Sequence, residues 1–93
     1  MIIGILQMEL RLGESRSLKD KRMVLKSLKD RLRKRYNIAV SEIGFQESWQ
    51  RILLGVSSIG TDKEYVNGLL SSVLDWVASE RSTELLSHRM EFL

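Results

Sequence analysis

The sequence predicts an α+β fold of βαββαβ order, with a four-stranded antiparallel sheet and two helices on one face. Three observations lead there. Residues 2–12 and 84–92 alternate apolar and polar side chains at the period of a half-buried strand. Residues 17–36 and 62–79 instead space their apolar residues three and four apart, as an amphipathic helix does. Between those helices stand two short strand-like runs, 38–44 and 51–59, joined by a polar turn. Helices with one apolar stripe and strands with one strongly apolar face bury that surface together as two layers.

In the first strand Leu6, Met8, Leu10 and Leu12 share one parity, and Ile3, Ile5, Gln7 and Glu9 the other. The first set belongs to the core. Gly13 to Arg16 is a short connection, and Ser17 is a good helix N-cap with Asp20 at the third helical position. The first helix turns Leu18, Val24, Leu25, Leu28 and Leu32 inward; Arg33, Lys34 and Arg35 suit its negative C-terminal end. Asn37 is the expected left-handed residue that stops it. The second strand adds Ile38 and Val40 to the core, and the third adds Ile52, Leu54 and Val56. Thr61 with Glu64 spells a capping box for the second helix, whose stripe is Val66, Leu69, Leu70, Val73 and Val77. Met90 and Phe92 complete the core from the last strand, with the lone histidine, His88, at their parity and so a core or rim residue. This arrangement is the ferredoxin-like split βαβ unit, spanning residues 1–93 as one domain.

The charge is unevenly placed. Arg16 to Arg35 holds ten of the fifteen Lys and Arg residues and two of the twelve acids, a local +8 against −5 for the remainder. On a helical wheel Lys19, Arg22, Lys26, Lys29 and Arg33 gather opposite the leucines, over a helix about 27 Å long. Such a face can neutralise several phosphates and release their counterions. Nucleic acid, chiefly RNA, is therefore the expected partner; an acidic protein surface and a merely solvated face are the alternatives. Lys21 falls inside the apolar arc, so its stem packs while its amine snorkels outward, or aims at a bound phosphate or carboxylate near the helix start. Arg16, Ser17 and Lys21 together form a candidate anion site there.

Several classes find no support. There is no cysteine, hence no disulfide, thiol nucleophile or Cys-based metal site. No convergent set of His and carboxylates suggests a metal, and no cofactor motif occurs; Glu42 and Glu47 are too isolated to argue as a catalytic pair. The apolar N-terminus alternates, carries Glu9 and lacks a basic leader, unlike a signal peptide, and no window reaches a membrane span; a cytoplasmic location is the expectation. Acylphosphatases share this fold class and hold phosphate in a Gly-rich loop before the first helix, but here that loop has one glycine, Gly13. RNA-recognition motifs stack bases on aromatics of the open sheet face, but the runs Ile3, Ile5, Gln7 and Leu53, Gly55, Ser57, Ile59 contain none. RNA contact is therefore expected through the helix and the phosphate backbone, without an enzymatic step.

The stretches Ser17-Leu18-Lys19-Asp20-Lys21-Arg22, Leu25-Lys26-Ser27-Leu28 and Trp49-Gln50-Arg51 resemble the YlxP-like family of small bacterial proteins, a domain of unknown function. The likeness runs over nearly the whole chain and departs from the family at the Gly44–Ser48 turn, where an Asp and a Leu more often precede the Trp. The resemblance implies a ferredoxin-like fold. Because the genes of such proteins often neighbour those for translation-initiation and ribosome-maturation factors, it also implies a role linked to the ribosome or RNA. It brings no catalytic residue set. A second expectation comes from the open sheet face. Ile3, Ile5, Leu53, Ile59, Leu85 and Leu93 form an apolar patch there, suited to a homodimer. Trp49 and Arg51 beside it form a candidate recognition spot, unless Phe45 and Trp49 fold over the sheet edge as cover.

Overall fold

The computed structural model describes all 93 residues. The chain order is β1 (Ile2–Arg11), α1 (Leu18–Arg35), β2 (Ala39–Gly44), β3 (Arg51–Gly60), α2 (Lys63–Ala78) and β4 (Glu84–Phe92). The strands form one antiparallel sheet in the order β2-β3-β1-β4, so β2 and β4 are its edges. Both helices lie on one face, because their buried residues and the even-numbered side chains of β1 and β3 form a single cluster. This is the ferredoxin-like α+β architecture.

The centre of the sheet is the unbroken β1–β3 ladder, from Ile2 opposite Gly60 to Arg11 opposite Arg51. Leu6, Met8 and Leu10 face Val56, Leu54 and Ile52 across it, and all six are at most 2% exposed. Gly4 continues the same face, where a Cβ atom would lie 2.5 Å from Val66 Cγ1 and 2.7 Å from Leu70 Cδ1. The missing side chain lets α2 sit directly on the sheet.

Ser17 caps α1 through its hydroxyl, which accepts from the Asp20 N–H at 3.0 Å. The Asp20 carboxylate answers by accepting from the Arg16 N–H. At the other end the chain runs straight into β2: Tyr36 is extended (φ −131°, ψ 144°), and Asn37 is not left-handed. Tyr36 makes that exit firm, donating its N–H to Leu32 and its hydroxyl to the Ser72 carbonyl of α2. The cap of α2 is Asp62, not Thr61. Its carboxylate accepts from the Tyr65 N–H at 2.8 Å, and Glu64 then stands at the second helical position, too early to reach back.

Leu12, Val66 and Leu70 are buried, as the strand parity and the helix stripe predict. Other core assignments change: Leu69 is only half-buried, and Ile38, Met90 and Phe92 only lean against the core, because β2 and β4 are edge strands. A bulge between the Glu9–Ser87 and Leu10–Leu85 pairs turns Leu85 onto the core side, away from the open face. His88 pairs with Met8 yet is exposed at the sheet's rim, since little of α2 reaches β4.

Candidate nucleic-acid interface

The two flanks of α1 meet different neighbours. On one, Arg31 pairs with Glu80 and stacks over Trp76 at 5.2 Å, while Arg35 lies 6.0 Å from the same ring. Those two cations close the seam between the helices. On the other flank, Arg33 donates from Nη2 to the Val40 carbonyl of β2 at 3.1 Å. Near the helix start Lys21 reaches Phe45, the residue just past β2, at 2.6 Å. Twelve helical residues at 1.5 Å span about 18 Å. Five strand residues at 3.3 Å span about 17 Å. Helix and edge strand therefore run antiparallel, side by side, and the predicted basic face overlooks β2.

That face is solvent-borne along its length. Lys19, Arg22, Lys26 and Arg33 are exposed and Lys29 is half-buried. One acid intrudes. Asp30 Oδ2 lies 2.9 Å from Lys26 Nζ and Oδ1 3.8 Å from Arg33 Nη1. The hydrogen bond from Lys26, with the nearby charges of Arg33 and Lys34, holds the Asp30 carboxyl below the usual carboxylate range. Lys19, Arg22 and Lys29 make no ion pair; nor do Arg16 and Lys34 at the margins.

Lys21 does not snorkel outward: its amine is turned inward, onto a carboxylate of its own chain. It is 1% exposed, and its ammonium lies 2.7 Å from Glu42 Oε2 while donating to the Phe45 carbonyl. Glu42 Oε2 is buried with no hydrogen bond in good geometry, so the Lys21 charge is its whole compensation. Phe45 presents its carbonyl by adopting φ 58°, the one left-handed non-glycine residue, which costs on the order of 1–2 kcal/mol. The same carbonyl accepts from the Ser48 N–H at 2.9 Å, and the Ser48 hydroxyl accepts from the N–H groups of Gln50 and Arg51. Gln50 ties the turn onward, its side chain donating to the Ser15 carbonyl and its own carbonyl accepting from Leu12.

The remaining members of the predicted anion site, Arg16 and Ser17, stand at the helix start already engaged with Asp20: the Arg16 N–H donates to its carboxylate, and the Ser17 hydroxyl oxygen accepts from its N–H. A cleft of about 700 Å³ opens beside them, but Glu14, Asp20 and Glu84 balance Arg11 and Arg81 on its walls. Arg11 is itself paired with Glu84 at 2.5 Å. This is a mixed polar surface, unlike a cationic phosphate cradle.

On the open sheet face Ile3, Ile5 and Leu53 are half-buried, while Ile59 and Leu93 are exposed. Ile43 joins them: it lies over Gly55, where a Cβ atom would come within 2.9 Å of it. Trp49 and Phe45 are 54% and 47% exposed, so they do not fold over the edge as cover. Arg51 is held by Glu9 and is not free to form a spot with Trp49. No group of three or more His, Asp or Glu side chains is placed to hold a metal ion, and no helix is long and apolar enough to cross a membrane.

Comparison with known proteins matches this fold to a family. The chain is 32% identical over 91 residues to the uncharacterized protein YlxP of Bacillus subtilis (strain 168), covering 98% of this chain and 99% of that one. Residues 3–90 match the family described as "Protein of unknown function (DUF503)". The chain belongs to the DUF503 family.

Proposed function

We propose that this protein is a non-enzymatic accessory factor that docks on structured RNA, such as the ribosome or its precursors, through the exposed face of α1. The observation that carries the reading is the row Lys19, Arg22 and Lys29: three cations on one flank with no carboxylate partner, in a segment of local charge +8. Lys26 and Arg33 extend the row and exchange Asp30 for phosphate on binding. Contacts of this kind follow the backbone and its shape, not the base sequence. Replacing Lys19, Arg22 and Lys29 together with Glu should abolish binding to ribosomal RNA in a filter assay while leaving the thermal midpoint nearly unchanged, since none of the three makes a structural ion pair. Wild-type affinity should fall linearly in log–log against salt with a slope of roughly −3 to −5. A flat slope would sink the proposal.

A second reading, a homodimer through the open sheet face, is favoured by exposed Ile43, Ile59 and Leu93. A shallow depression of about 430 Å³ between Ile3 and Ile59 lies on the same face. Its partner contacts would survive nuclease.

A further inference from the structure

Three of the six aromatic residues pack against the core: Tyr36, Trp76 and Phe92. Two of the three exposed ones, Phe45 and Trp49, share a single turn. An exposed indole and phenyl on a loose loop would be ordinary surface. This turn is not loose. Its Phe45 carbonyl is gripped by the buried Lys21 ammonium and the Ser48 N–H, while Ser48 and Gln50 pin the end of the turn to β3 and to the β1–α1 connection. The backbone is held in one shape while both rings are left in water.

The position matters as much as the rigidity. Because α1 runs antiparallel to β2, the end of β2 lies against the start of the helix, and the turn stands at the N-terminal end of the cationic row. Arg22 directly follows the lysine that grips the turn, and it is exposed without an ion pair. A phosphate track and a pair of flat apolar rings thus adjoin. Positive charge along the backbone with aromatic faces for bases is the combination that holds single strands.

Resting on the RNA reading above, we infer that the Phe45–Trp49 turn is a stacking platform for unpaired nucleotides, and that the RNA recognised carries a single-stranded segment next to the stem bound by α1. Ordered rings bind a base with little loss of their own freedom, which is what the Lys21 anchor supplies. The sheet face, which carries base stacking in other folds of this topology, is aliphatic here. The platform has moved to the turn at the sheet's edge.

The test uses two RNAs, a blunt duplex and the same duplex with an unpaired uridine overhang, and the variant Phe45→Gly/Trp49→Ala. Glycine keeps the left-handed backbone and the carbonyl that Lys21 holds. The variant should bind the overhang RNA at least tenfold more weakly than wild type and the blunt duplex equally well. Trp49→Phe, which retains a ring, should keep most of the overhang preference, and the wild-type indole emission should be quenched by the overhang RNA alone. If wild type and both variants treat the two RNAs alike, the platform is wrong while the helix interface stands. If wild type binds neither RNA, both fall. Loss of a nuclease-resistant protein partner in the double variant, with RNA affinity intact, would reassign the turn to protein recognition and overturn the inference.

Discussion

Replacing Lys21 with Met keeps most of the stem that fills the space between α1 and β2 and deletes only the ammonium. The Glu42 carboxylate is then left with one buried oxygen and no compensating charge. Removing one partner of a buried ion pair costs about 3–5 kcal/mol. The Glu42 side chain is still 18% exposed, so water can reach part of it, and the lower end, about 3 kcal/mol, is the expected loss. In a domain of this size 1 kcal/mol moves the thermal midpoint by about 4–8 °C, so the fall should be roughly 12–24 °C. Removing both charges, in Lys21→Met/Glu42→Leu, should return stability to within about 1 kcal/mol of wild type. The Phe45 carbonyl keeps its Ser48 donor in both variants. Equilibrium urea unfolding of wild type, Lys21→Met, Glu42→Leu and the double variant, followed by far-ultraviolet circular dichroism, closes the cycle with a coupling of about 2 kcal/mol or more. A single variant as stable as wild type, or a double variant as weak as the sum of its parts, would refute the account of Lys21 as a buried anchor.

Gly4→Ala should destabilise by about 1–3 kcal/mol, since the new methyl overlaps Val66 and Leu70; Val66→Ala in the same chain should recover part of it, and an unmoved midpoint in thermal unfolding would contradict the close seating of α2. The Asp30 carboxyl, followed by carbon-13 shifts, should titrate below the usual range, and Lys26→Met should raise its midpoint because the Lys26 hydrogen bond is the largest cause. A depressed folded pKa makes this pair's contribution present above the unfolded value and lost as pH falls through the folded one, so wild type should lose more stability than Asp30→Asn across that acid interval. Ile59→Asp should convert any self-associated form to monomer in analytical ultracentrifugation, and an unchanged sedimentation coefficient from a wild-type dimer would remove the open face as its seat.

The order and type of all six elements were legible in the residues because each rests on local period: alternation in β1 and β4, the leucine stripe of α1, the paired short strands between helices. Boundaries moved by a residue or two where two competent caps stood side by side, as with Thr61 and Asp62. What could not be read locally was anything made by pairing. The bulge that turns Leu85 inward depends on the register with β1, and alternation alone carries no trace of it. Lys21 announced itself by sitting among leucines, yet its partner, Glu42, lies on a different element and is brought near only by the antiparallel course of α1 along β2. Likewise the basic face was visible as composition. Its division into cations engaged by Trp76, Glu80 and Asp30 and cations left free was not, since those partners come from α2 and from rotamers within the helix.

The hydrogen bond from Arg33 to Val40 has a consequence for assembly. An edge strand normally advertises unpaired carbonyls to any neighbouring chain, and β2 has one of its own stoppered by a guanidinium and its far end bent by a bulge near Gly44. The β4 margin is then the less guarded of the two. Two molecules joined there would use up both of those margins at once, so any further growth by strand pairing would have to proceed through the guarded β2 edges.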